Sequence, residues 1–230
     1  MADGTGRTAS TARRGAGPRD GGPRRGGLSE KRDAILRAAL TTFGRDGYTR
    51  ASVDTIAGAA RVSTRTIYNH FAGKEELFRV VIQDSASQVA DHQVELLRQR
   101  ARRRPGDLEE ELVGLCTEWS GTLTAFPDHF ALVRQVNAEA GHIPPDVLAT
   151  WNDVGPDRAQ KALADHLEWL AEGTPLRPGD PERAASHLTL LVSEINLRSY
   201  YGLYPLPDEE VRRIVTSAVR AFLHGHLDRC

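Results

Sequence analysis

The chain has 230 residues, and its 30 Lys+Arg against 31 Asp+Glu leave a formal charge of −1, so the total points to no polyanionic partner. Divided at residue 80, the balance separates into +7 (15 basic, 8 acidic) and −8 (15 basic, 23 acidic), which makes the N-terminal part the candidate for contact with nucleic acid or membrane. A hydrophobic share of 40% and a charged share of 27% are ordinary for a globular chain, and two cysteines, Cys116 and Cys230, exclude a disulfide framework and fit a reducing cytoplasm.

Residues 1–27 hold eight Gly, two Pro and six Arg, with no apolar side chain larger than Ala apart from Met1. Such a segment cannot bury enough surface to offset its ordering entropy, so it is read as a disordered basic arm of net +4. The arm is either a passive tail or a source of extra phosphate or minor-groove contacts. It lacks the apolar stretch of a signal peptide, and no apolar run in the chain approaches the roughly 18 residues of a membrane span.

From Leu28 onward, apolar residues recur at three- and four-residue spacing, which predicts an all-α protein with no strands. The first helix opens at Ser29, turns Ile35, Leu36, Ala39, Leu40 and Phe43 inward, and is expected to stop between Gly44 and Gly47. A short second helix begins at Ser52 as N-cap, and a third follows Ser63 with Ile67 and Phe71 as its inward pair. A long helix runs from Lys74 toward Arg104. Prolines then divide the remainder into helices at about 107–125, 128–140, 145–154, 157–172, 181–202 and 208–227. The domain reading is an arm at 1–27, a DNA-binding unit at 28–73 and a helical effector and dimerisation body at 74–230.

Residues 52–71 have the length pattern of a helix-turn-helix: a capped short helix, a break at Arg61 and Val62, and a second capped helix. With Ile67 and Phe71 inward, Arg65, Tyr68 and Asn69 fall on the opposite side at i, i+3 and i+4, joined by Thr64 and Thr66 near the helix start. Arg pairs well with guanine and Asn with adenine, so this face suits base edges and phosphates. Tyr68 can also be read as a packing residue with a wet hydroxyl, and His70 as a helix-end histidine with no DNA role.

The run Gly47-Tyr48, then Ser52-Val53, Ile56-Ala57, Ala60, Val62-Ser63, Thr66-Ile67-Tyr68, His70-Phe71 and Lys74 to Phe78 resembles the DNA-binding half of the TetR family of transcriptional regulators. The resemblance implies a homodimer that binds double-stranded DNA at a palindromic operator and carries a C-terminal domain for a small-molecule effector. It implies phosphate contacts from Ser52, Tyr68, His70 and Lys74, and base contacts from Thr64, Arg65, Thr66 and Asn69. One departure stands out: the turn position most often Gly in the family is Arg61. Either the backbone there is not left-handed, or packing absorbs a cost of roughly 1 kcal/mol.

In the body, the stripes around Leu188, Leu191 and Ile195 and around Val215, Val219 and Phe222 are read as the dimer interface, with an intrachain core as the alternative. Aromatic and polar residues between bundle helices, namely Trp119, Phe126, His129, Phe130, Trp151, Trp169, Glu194 and Tyr200, are the candidates for an effector site. The stretch 125–145 and the run at 179–185 resemble the C-terminal domains of AefR-like members of the family. The function expected is a repressor released by its effector, in the cytoplasm and away from membranes. An activating regulator, or a metal-responsive one using His224, His226 and Cys230, is the alternative. No cofactor, metal or catalysis is expected, since no phosphate-loop, nucleophile-elbow or His-Glu-x-x-His pattern occurs.

Overall fold

Helical periodicity becomes helix at every predicted position in the computed structural model, which describes residues 25–103, 106–200 and 205–227. Among the described residues there are eleven α-helices, a 3-10 turn at Ala140–His142 and one isolated β-bridge between Leu176 and Leu227. The proposed arm lies outside the described residues up to residue 24; helix α1 already begins at Arg25.

Helix α1 (Arg25–Arg50) does not stop at Gly44. It continues to Gly47, where φ 80 and ψ 171 interrupt it. Gly44 stays helical because the absence of a side chain permits close packing: a Cβ there would sit 3.2 Å from Ala131 Cβ and 3.3 Å from the Leu132 nitrogen. Helices α2 (Val53–Ala60) and α3 (Thr64–His70) start on Ser52 and Ser63, whose hydroxyls accept from Thr55 N and Thr66 N at 3.1 Å each. Helix α4 spans Lys74–Arg100. Helix α5 (Leu108–Ala125) is capped by Asp107, and prolines open α6 (Pro127–Glu139), α7 (Pro145–Val154), α8 (Pro156–Ala171) and α9 (Pro181–Val192), where a missing N–H costs nothing.

The single helix expected over 181–202 is divided at Ser193 into α9 and α10 (Glu194–Tyr200). There the Ser193 hydroxyl donates to Leu190 O at 2.6 Å and its N–H to the same carbonyl at 3.2 Å, replacing the i−4 bond that would have continued the helix. Helix α11 (Asp208–His226) closes the described fold.

Two hydrophobic cores result. The first joins Ile35, Phe43, Ile56, Ile67 and Phe71 to Phe78 and Ile82 of α4, and also takes in Leu132 and Val136 of α6 and Ile143 and Val147. Phe43 meets Phe78 edge-on with centroids 5.0 Å apart. The second gathers α5, α8, α9 and α11 around Leu112, Leu167, Leu188, Val215 and Phe222. Helices α4 and α6 run between the helix-turn-helix and the rest of the bundle.

Candidate nucleic-acid interface and ligand cavity

Helix α3 is anchored by Ile67 and Phe71, both buried, so its opposite face stands free in solvent. Arg65, Asn69 and Tyr68 are exposed there, Tyr68 by 58%, while Thr64, Thr66 and His70 are half-buried. The Thr66 hydroxyl lies 2.9 Å from Ser63 Oγ, so part of its hydrogen-bonding capacity is committed to the cap. Ser52 Oγ is likewise 2.8 Å from Thr55 Oγ1.

Arg61 is left-handed, with φ 56 and ψ 41. Its N–H reaches Gly58 O at 3.2 Å and that of Val62 reaches Ala57 O at 3.0 Å, the paired bonds of a Schellman ending. These bonds offset a steric cost of about 1 kcal/mol that glycine would avoid. The turn therefore keeps its geometry and presents an exposed guanidinium beside α3.

Lys74 is positioned by the chain itself. Its ammonium donates to Thr49 O at 3.1 Å and stands 4.9 Å from the Tyr48 ring centroid. Burial pulls the Lys74 pKa down, with the Glu139 charge acting against that; Tyr48 is pushed up, chiefly by burial. Arg32 covers the Phe71 ring at 5.6 Å.

Helix α6 is tied to α1 at both ends. Thr41 Oγ1 donates to Asp128 at 3.2 Å, and Glu139 Oε2 accepts from the Thr49 N–H at 2.9 Å and its hydroxyl at 3.1 Å. Gly47 makes the second tie possible, because a Cβ there would collide with the Glu139 carboxylate and its φ of 80 is itself costly for other residues.

Where α4 to α10 converge lies a cavity of about 230 Å³. Trp119, His129, Phe130 and Trp151 line it as expected, together with Asn196. The remaining candidates lie elsewhere. Phe126 packs against His92 at 5.3 Å, Trp169 against His166 at 5.3 Å, and Glu194 is an exposed carboxylate paired with Arg198 at 2.7 Å. Tyr200 ends α10, and its side chain is outside what is described. The cavity also uses Gln93 and Ser120, buried polar residues that sequence reasoning missed. Their signal was a polar side chain on an otherwise apolar inward stripe.

His129 is buried, and its Nδ1 lies 2.6 Å from Ser85 Oγ. Burial lowers its pKa to about 4, and burial likewise lowers that of His166, whose Nε2 has no partner, to about 4. Both rings are therefore neutral in the folded protein while unfolded histidine titrates near 6.5. Because the unfolded chain then binds more protons, stability is full above about pH 6.5 and declines as pH falls toward 4. At pH 5 the expected loss is roughly 2 kcal/mol for each histidine. Denaturant unfolding at pH 7 and pH 5 measures it, and His129→Asn is expected to remove about half of the difference.

The stripes assigned to dimerisation need correction. Leu188, Ile195, Val215, Val219 and Phe222 are at most 1% exposed, so they are filled by the chain's own core and have no surface to give a partner. Leu191 is 41% exposed, and beside it lie Leu190 at 68% and Leu197 at 50%. Leu190 and Leu191 border a shallow cleft with Ala221, Phe222 and Gly225 of α11. His224 and His226 do not converge: His226 stacks on Phe222 at 4.4 Å and faces His187, 3.5 Å away between ring nitrogens. No group of three metal-ligating side chains occurs among the described residues, and Cys230 lies outside them. Nor is any described helix long and apolar enough to cross a membrane.

A capped, left-handed turn presenting Arg65, Tyr68 and Asn69 on an anchored helix, joined to a cavity-bearing helical bundle, defines a DNA-binding regulator of transcription rather than an enzyme. Residues 35–81 match the tetR family of bacterial regulatory proteins, and residues 110–225 match the C-terminal domain of AefR-like transcriptional repressors. The chain belongs to the TetR family. It is 43% identical over 79 residues to the HTH-type transcriptional activator FasR of Mycolicibacterium smegmatis, a match covering 33% of this chain and 36% of that protein. A TetR-family regulator structure from Mesorhizobium loti MAFF303099 superimposes with a TM-score of 0.77 at 28% identity, covering 87% of this chain and 98% of that one. The flavonoid-responsive regulator FrrA superimposes with a TM-score of 0.62, also at 28% identity, covering 88% of this chain and all of that one.

Proposed function

We propose that this regulator is a homodimeric repressor that binds a palindromic operator and is released by a small-molecule effector in the cytoplasm. The observation that carries DNA reading is the exposed face of α3, with Arg65 and Asn69 reading bases and Tyr68, His70, Ser52 and Lys74 holding phosphates. Residues 28–73 act as the DNA unit and 74–230 as the effector and dimer body. The exposed leucines of α9 and α10 meet a second copy, which sets two α3 helices about one DNA turn, or a multiple of it, apart.

Release follows from where α4 and α6 run. Phe78, Val81 and Ile82 of α4 sit in the first core, Val89 lines the cavity, and Leu96 packs on the second core. On α6, His129 and Phe130 line the cavity while Asp128 and Glu139 hold α1. An occupant that favours one arrangement of these helices changes the spacing of the two recognition helices, at about 1.4 kcal/mol per tenfold change in operator affinity. The test is operator affinity by fluorescence anisotropy with the cavity empty and saturated. At least about a tenfold loss is expected on saturation, and unchanged affinity contradicts release. An activating regulator is the second reading, favoured by the 43% identity to FasR, a named activator.

A further inference from the structure

The walls of the cavity restrict what can occupy it. Among the described residues that line it there is no Asp, Glu, Lys or Arg. An ion entering would exchange its hydration for an uncharged wall, a steep cost without a paired charge. His129 is the one titratable group in the lining, and burial keeps its ring neutral at ordinary pH.

Trp151 supplies the second constraint. Its indole N–H is fully buried and has no acceptor. An indole nitrogen donates and does not accept, so the group that would satisfy it is an acceptor. Gln93, on α4, adds a buried amide to the wall. The rest is aromatic and aliphatic, with Trp119 and Phe130 facing the same space, and a volume of about 230 Å³ lies below the roughly 300–1,000 Å³ of sites for drug-sized ligands. Aromatic walls also attract quaternary ammonium ions. Here, however, no carboxylate accompanies them and the unfilled polar position is a donor, which repels a cation.

We infer that the cavity takes a small, uncharged, largely aromatic ligand bearing a hydrogen-bond acceptor, a carbonyl, ether or hydroxyl oxygen, that pairs with the Trp151 indole N–H. The inference rests on the effector reading of this cavity and names the chemistry of its occupant.

The test uses the full chain without DNA and four probes built on one ring system: 2-acetylnaphthalene, naphthalene, 2-naphthoate and 2-naphthyltrimethylammonium. Titration calorimetry is expected to rank the ketone first, about fivefold to tenfold tighter than naphthalene, the worth of one neutral hydrogen bond in a buried site, with both ions weaker than the ketone. Trp151→Phe keeps a ring in place and removes the donor, so the ketone's affinity falls to that of naphthalene, while Trp119→Phe preserves the ketone's advantage. Stronger binding of either ion, survival of the ketone's advantage in Trp151→Phe, or binding of none of the four probes would overturn the inference. Operator affinity is then measured separately with the ketone saturating. Binding with the Trp151 signature but no change in operator affinity would contradict release and leave the ligand chemistry standing.

Discussion

Alanine in place of Arg65 is expected to weaken binding to the operator by about 1–3 kcal/mol per half-site while leaving binding to random DNA nearly unchanged. The guanidinium is exposed on the free face of α3, and α3 itself is held by Ile67, Phe71 and the Ser63 cap, so truncation removes a base contact without moving the helix. Tyr68→Ala and Lys74→Ala differ in kind. They remove phosphate contacts, so affinity falls for all sequences and the slope of log affinity against log salt decreases by about 1 for each lost phosphate contact. For Lys74 the effect includes the release of Thr49 O and the Tyr48 ring, which fix its approach. Competition binding of operator and random duplexes across a salt series separates the two classes. Equal losses on both DNAs for Arg65→Ala would remove it from base reading.

The double change Leu190→Glu with Leu191→Glu is expected to convert the dimer to monomers and to lower operator affinity by about 100-fold or more. The two leucines are 68% and 41% exposed, so charging them hardly touches the fold of the single chain. Across a two-fold interface each charge meets its own copy or an apolar surface, and association is lost. Operator affinity follows because the second α3 no longer binds at the high effective concentration that the first provides. Helices 28–80 carry only +3, too little for one copy to hold DNA firmly through phosphates. Sedimentation equilibrium reads the mass, with the variant at one chain and the parent at two. Val219→Ala serves as a contrast: it lies in the core, so it lowers stability without changing the mass.

Local chemistry made much of this fold legible in the sequence. Ser52 and Ser63 cap their helices, the prolines at 127, 145, 156 and 181 open theirs, and Ile67 with Phe71 anchors the recognition helix, because each effect acts within one helical turn. What depends on contacts distant in sequence was not legible. The inward stripe at Leu188, Ile195 and Val215 is apolar for reasons internal to the chain, and periodicity cannot say which surface an apolar stripe meets. The exposed leucines at 190 and 197 sit off that stripe. For the cavity, Trp119 and Trp169 look equivalent by spacing, yet the bundle turns one to the empty space and packs the other on His166. Gly47 reads as a helix stop, whereas its larger consequence is to let Glu139 reach Thr49, ninety residues apart.

Selection of bound fragments from a genomic or random DNA pool by the full chain tests the central claim most directly. The account predicts one enriched sequence with two inverted half-sites, related by a two-fold axis and spaced by one helical turn or a multiple of it, with binding at that sequence lost on Arg65→Ala. Enrichment of a single asymmetric element, or recovery of DNA with no shared sequence, would contradict a symmetric dimer reading bases through α3.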